Sequence, residues 1–196
     1  MDTVAKAMSK VRRELFVPTE FIKSASMDQP IAIPGGQTIS ASHMHRIVLS
    51  ELDLKPGEKF LEVGAGSGIM LAYAKEMVGK EGKVVGMEIN METYKFGKAC
   101  LKKAGYKNVT YVHGDGSMGY PKYAPYDKIA ISAASPDIPK PLISQLKSNG
   151  VILAVIGAPE GEQHLIKIRK TKSGDLISKN ILSVIFVPLR GKYGWS

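Results

Sequence analysis

Three glycine-rich or acidic clusters in this chain have the types and spacing to hold a nucleoside. Gly64-Ala65-Gly66-Ser67-Gly68 follows the apolar stretch Phe60-Leu61-Glu62-Val63, which reads as a buried strand running into a tight turn that opens a helix. Glycines let such a turn bend sharply and approach a ligand with no Cβ in the way. The spacing is G-x-G-x-G, and Ile69 stands where the dinucleotide fingerprint would continue towards its last glycine, which weakens a pyrophosphate reading. Glu88 closes the next apolar strand, Val84-Val85-Gly86-Met87, about twenty residues further on, where a carboxylate accepts both hydroxyls of a ribose. In Gly114-Asp115-Gly116 the acid can accept from an exocyclic amine while the adjacent backbone reads a purine edge. Alone, the loop also fits a plain turn and Asp115 an Asx-type turn. Together they favour S-adenosylmethionine, which has a ribose and an adenine but no phosphate, and the loop holds no P-loop lysine.

The elements that must position these residues follow from hydrophobic periodicity. Val4, Met8, Val11 and Leu15 predict an amphipathic helix ending before Pro18. From Phe21 to Ser42 there is no clean period; Pro30, Pro34 and Gly35-Gly36 indicate a long ordered loop, of the kind usually tied to function. Met44, Ile47, Val48 and Leu52 share one helical face, with Ser42 as the expected N-cap. Beyond Phe60 strands and helices alternate: a helix over 67–78, a strand to Glu88, a helix through Tyr94, Gly97, Leu101 and Ala104, and a strand over 109–112. A strand near 129–131, a helix through Ile138, Ile143 and Leu146, and a strand over 151–156 follow. Such alternation implies a parallel sheet covered on both faces, with ligands at the carboxyl ends of its strands. The end of the chain breaks the rhythm: Ile166 and Ile168 alternate with charges, Ser173-Gly174-Asp175 is a turn, and 181–187 is another strand, so this last pair is antiparallel. The expected fold is α/β, a Rossmann-like methyltransferase sandwich with a mostly parallel seven-stranded sheet and an antiparallel C-terminal hairpin. We expect one domain over 1–196, with N-terminal helices and a substrate loop over 1–55, a cofactor-binding core over 56–160 and antiparallel strands over 161–196.

Composition narrows the partners. With 196 residues, 44% of them hydrophobic, the chain can bury a substantial core. No apolar run reaches bilayer length and residues 1–6 lack the apolar core of a secretory signal, so a cytoplasmic protein without a membrane partner is expected. Cys100 is the sole cysteine, which excludes an internal disulfide and a thiolate cluster; its place on a helix pattern suits a buried, inert thiol. His43 and His45 have no metal-ligand spacing and read as surface or capping residues, and no metal is expected. The net charge of +9 permits nucleic acid, but neither Lys102-Lys103 nor the set Lys167, Arg169, Lys170 and Lys172 has interleaved aromatics on which bases would stack. An obligate nucleic-acid partner is therefore not expected, and the chain is expected to act as a monomer.

At the level of whole segments the chain resembles the protein-L-isoaspartate O-methyltransferases. Ser26-Met27-Asp28-Gln29-Pro30, Gly36-Gln37-Thr38-Ile39-Ser40 and His43-Met44 are similar to that family's signature, as are Arg13-Glu14-Leu15-Phe16-Val17-Pro18, Ala124-Pro125-Tyr126-Asp127 and Phe186-Val187-Pro188-Leu189. Ser42 stands where proline is common and Pro34 where glycine is frequent. The resemblance implies methyl transfer from S-adenosylmethionine to the α-carboxyl of L-isoaspartyl, and also D-aspartyl, residues in damaged proteins and peptides. It implies a catalytic-site hydroxyl at Ser40 that orients the acceptor, with Thr38 assisting or packing its methyl inward, and Asp28 meeting the substrate backbone or bracing the loop. The donor would be held by Glu62, Gly64, Ala65, Gly66, Ser67 and Gly68, by Glu88 and Ile89, and by Gly114, Asp115 and Gly116. A carboxylate with a pKa of about 4 is already ionised at neutral pH, so no strong general base is required.

Two other readings use the same fold. An RNA or small-molecule methyltransferase would suit the basic charge, but Ser132-Ala133-Ala134-Ser135-Pro136 stands where an Asn/Asp-Pro-Pro-aromatic acceptor motif would lie. A non-catalytic S-adenosylmethionine-binding module is the other.

Overall fold

The computed structural model describes residues 2–195. Its centre is a seven-stranded sheet built from β3 (Lys59–Val63), β4 (Lys83–Glu88), β5 (Thr110–His113), β6 (Tyr126–Ser135), β7 (Leu146–Gly157), β8 (Gln163–Lys170) and β9 (Leu176–Val184), in the order β5-β4-β3-β6-β7-β8-β9. The first five strands are parallel, whereas β7, β8 and β9 pair antiparallel, as the change of rhythm in the sequence predicts. A separate hairpin, β1 (Ile31–Ile33) with β2 (Gln37–Ile39), precedes the sheet. Among the described residues five α-helices complete the fold: α1 (Thr3–Lys10), α2 (Ser42–Leu52), α3 (Ile69–Val78), α4 (Met91–Lys103) and α5 (Lys140–Ser144). Among the described residues no helix is long and apolar enough to cross a membrane.

Successive strand residues point to opposite faces, so the apolar runs serve two cores. Phe60, Val84, Ala130 and Leu153 pack with α1, α2 and α3, whereas Leu61, Val85, Ile129 and Ile152 pack with Leu142 of α5 and with Leu189. From β3 the chain moves to β4 and β5 on one side, then returns to place β6 on the other. That reversal opens a crevice at the carboxyl ends of β3 and β6, where ligands bind in open α/β sheets.

Four expected elements are corrected. The first helix stops at Lys10, and Arg13–Leu15 is a separate 3-10 turn. The break turns Arg13 inward and lets both Phe16 and Val17 be buried, which one continuous helix into Pro18 would not allow. The region from Phe21 to Ser42 is no plain loop: a 3-10 helix over Thr19–Ser24 leads to the β1–β2 hairpin, whose turn uses Gly35 (φ 83°) and Gly36 (φ 68°). The helix expected through Leu146 is only Lys140–Ser144, because Leu146 is already paired with Tyr126 in the sheet. The last strand ends at Val184 rather than Val187; beyond it the chain leaves β8 and crosses to the end of β6, where Ala134 bonds Val187 and Leu189.

Candidate active site

The glycine loop is fixed by the strand beside it. Gly64 and Ala65 N–H both donate to the carbonyl of Met87, at 2.9 and 3.0 Å, and Gly66 N–H donates to Glu88 Oε2 at 3.0 Å. The Tyr111 hydroxyl donates to the Gly66 carbonyl at 2.7 Å. Gly64, Gly66 and Gly68 all have positive φ, at 77°, 54° and 81°, so the turn needs glycine at each. Gly68 precedes α3 and faces Leu101 rather than the crevice. Glu88 Oε1 accepts from Asn90 N–H at 2.9 Å, which leaves one lone-pair direction on each oxygen for an incoming hydroxyl.

Two adjoining cavities occupy the crevice. One, of about 240 Å³, is lined by Glu88, Ile89, Met87, Gly116 and the C-terminal residues Leu189 and Arg190. The other, of about 310 Å³, is lined by Asp28, Ser40, His45, Glu62, Ala65 and Ser67 on one side and by Ile185 and Phe186 on the other. Thr38, Gly64, Gly66, Ser132 and Val187 border both, so the two spaces meet over the carboxyl ends of β3 and β6.

Glu62 is set apart by its burial. Glu62 is buried; Ser132 Oγ donates to its Oε1 at 2.8 Å, and among the described residues its Oε2 has no partner. Burial pushes the Glu62 carboxyl up to about 8, with the Ser132 hydrogen bond opposing and Glu88 adding to the rise. A buried, unpartnered carboxyl oxygen suits an ammonium group, the Glu88 oxygens suit ribose hydroxyls, and Met87 and Ile89 offer apolar surface for a purine. The residues present therefore fit S-adenosylmethionine.

The wall over residues 28–40 is held by side chains from elsewhere in the fold. Arg13, buried, donates from Nη2 to the carbonyls of Ser40 (2.9 Å) and Gln29 (3.3 Å). Burial lowers the Arg13 pKa, and Tyr73 beside it opposes that shift. Ser40 lines the larger cavity, and among the described residues its hydroxyl makes no hydrogen bond. Thr38 sits opposite Ala32 in the hairpin. Asn90 Nδ2 donates to the Gly35 carbonyl and Thr93 Oγ1 to that of Pro34, tying the hairpin turn to the start of α4.

Several expected roles are redistributed. Asp28 accepts from His43 N–H at 2.9 Å and pairs with His43 Nδ1 at 3.1 Å, which holds its carboxyl below the usual range. This bond caps α2, where Ala41 is the N-cap residue and Ser42, expected to cap, is already helical. Asp115 borders neither cavity: Oδ1 accepts from Ser117 N–H and Oγ, and Oδ2 from Lys192 N–H at 2.8 Å. Its flanking Gly114 also lies outside both linings, whereas Gly116 lies within one. His45, expected at the surface, is buried in the wall of the larger cavity against Tyr73, and burial reinforced by the nearby Arg13 charge lowers its pKa to about 3. Cys100 is buried, which raises its thiol to about 11.

Sequence reasoning missed Arg13, Ser132 and the wall over 185–190. Arg13 occupies a polar position of a predicted helix, and only the break at Val11 turns it inward. Ser132 was visible only as part of a motif that was missing.

The model of the protein-L-isoaspartate(D-aspartate) O-methyltransferase family matches residues 1–194. The chain belongs to that family. A relative from Archaeoglobus fulgidus, protein-L-isoaspartate O-methyltransferase 2, is 50% identical over 192 residues, which is 98% of this chain and 87% of that protein. Among solved structures, a protein-L-isoaspartate O-methyltransferase superposes with a TM-score of 0.90 at 26% identity, over 99% of this chain and 63% of that longer one. A Plasmodium falciparum protein assigned to the same methyltransferase, in complex with S-adenosyl-L-homocysteine, gives 0.85 at 26% identity over 97% of this chain and 91% of its own. Membership extends to both walls of the crevice, since the matched residues include the acceptor segment, the glycine loop and the strap at 185–190.

Proposed function

We propose that this chain is an S-adenosylmethionine-dependent protein-L-isoaspartate (D-aspartate) O-methyltransferase, acting on damaged proteins and peptides. The observation that carries the reading is the junction of the two cavities: Glu88 lies in one, Ser40 in the other, and Thr38, Gly64 and Ser132 border both. A donor seated along the glycine loop and an acceptor entering past residues 28–40 would meet there.

When bound, S-adenosylmethionine would supply a methyl group from its sulfonium: a bond to an acceptor carboxylate oxygen would form as the S–C bond breaks, and neutral S-adenosylhomocysteine would leave. The protein's part is alignment and the exclusion of water, because an anion meeting a cation loses charge as the bond forms. Glu88 holds the ribose hydroxyls with the lone pairs left free by Gly66 and Asn90. Glu62 takes the ammonium, releasing its own proton as it does so. The free Ser40 hydroxyl donates to the acceptor carboxylate, and Arg13 fixes that hydroxyl by gripping the Ser40 carbonyl. Neutral His45 lines the wall without competing for the carboxylate. In this reading Asp28 braces α2 and the loop, and Asp115 secures the strap that carries Leu189 and Arg190. The chain is one domain and works as a cytoplasmic monomer with no nucleic-acid or membrane partner.

The test is methylation of matched peptides. With S-adenosylmethionine, an isoaspartyl peptide gives a base-labile ester that releases methanol, and the same peptide with ordinary aspartate gives little. Labelling of RNA but not of the isoaspartyl peptide would refute the reading, and donor binding without turnover on either would leave a binding module.

A further inference from the structure

Ile185 is 92% exposed, far above the next large apolar side chains, Met27 at 53% and Ile177 at 51%. Water disfavours an isoleucine so placed, and a frayed end would account for it if the backbone were loose. It is not loose. The next peptide is gripped from both sides by buried Gln163, whose Oε1 accepts from Phe186 N–H at 2.7 Å and whose Nε2 donates to the Phe186 carbonyl at 3.2 Å. Ala134 then pins the chain by accepting from Leu189 N–H and donating to the Val187 carbonyl. The exposure is thus imposed by a fixed backbone, at the mouth of the larger cavity, with Gln29 and Pro30 in the same lining.

We infer that Ile185 determines specificity by packing on an apolar side chain immediately next to the isoaspartyl residue of the substrate. The inference rests on the proposed function: if the acceptor carboxylate reaches Ser40, the polypeptide on either side of it must lie across the mouth where Ile185 stands. The occupant is therefore a substrate side chain. Contact would cover part of the isoleucine, which corresponds to about fivefold in KM.

The experiment uses the full chain and three isoaspartyl peptides that differ only beside the damaged residue: glycine on both sides, leucine before it, or leucine after it. The native enzyme should show a KM about fivefold lower for one leucine peptide than for the glycine peptide. Ile185→Ser should erase that preference and Ile185→Met should restore most of it. Equal KM values for all three peptides with the native enzyme, or a preference that survives Ile185→Ser, would overturn the inference while leaving the methyltransferase reading intact. Failure to methylate any of the three would overturn both.

Discussion

The wall at residues 64–68 is held by neighbouring backbone, by one acid at the end of the adjacent strand and by the Tyr111 hydroxyl of the strand after it, whereas the wall at 26–40 is held by groups that reach it from distant elements. Met87, Glu88 and Tyr111 fix the first from β4 and β5, the two strands that follow it in the chain. Arg13, His43, Asn90 and Thr93 fix the second from the N-terminal turn, α2 and α4. The first wall is therefore held within three successive strands of the sheet, and the second is assembled only once the N-terminal turn, α2 and α4 have met. The two should fail differently when broken.

The largest effect is expected at Glu88. Glu88→Ala removes the ribose acceptor and also leaves the Gly66 and Asn90 N–H groups without their partner, so donor affinity should fall about 10- to 100-fold, in line with hydrogen bonds to charged groups. Calorimetric titration of S-adenosylmethionine reads this directly; an unchanged Kd would show that the loop holds the donor without its acid.

A smaller and different loss is expected at Arg13. Arg13→Met leaves the Ser40 and Gln29 carbonyls without their buried donor, at a cost of about 1–3 kcal/mol per group, partly offset by no longer burying a charge. Turnover should fall about tenfold, by analogy with a displaced positioning group, while donor Kd moves much less. Equal losses in both would mean that the two walls are not separable.

A further effect, which depends on pH, is expected at Glu62. Burial raises its folded pKa from an ordinary 4.5 to about 8, so the folded state holds a proton that the unfolded state has lost. Its contribution to stability is fully present below about pH 4.5 and is lost as pH rises through about 8. Glu62→Gln should therefore be stabilising at pH 8 relative to the native chain, as read by urea unfolding. Because ammonium binding would expel that proton, native donor affinity should also improve with pH relative to Glu62→Gln by a few-fold, in the manner of a linked titration.

The same contrast explains what could be read from the sequence. The glycine loop, Glu88, the parallel strands and the antiparallel finish follow from runs and periods within short windows; all are present, though the last strand is shifted to Leu176–Val184 from the expected 181–187. The hairpin at 31–39 was hidden because three-residue strands around Pro34 and Gly35-Gly36 carry no usable period. Arg13 was hidden because burial of a charge depends on partners sixteen and twenty-seven residues away. Asp115 shows the opposite case: its glycine flanks suggested a ligand, while its oxygens bind the backbone of Lys192 and the amide and hydroxyl of Ser117. His45 was misread for a related reason, since the helix start that carries it faces Tyr73 and the cavity rather than water.

The central claim is that the donor site and the acceptor hydroxyl are separate parts meeting at Thr38, Gly64 and Ser132. The most direct test is Ser40→Ala, with donor Kd by titration and single-turnover methylation of an isoaspartyl peptide measured on the same preparation. Donor Kd should stay close to native while the methylation rate falls by about tenfold or more, the scale of a lost orienting contact. A native methylation rate, or a loss that appears entirely as weaker donor binding, would contradict it.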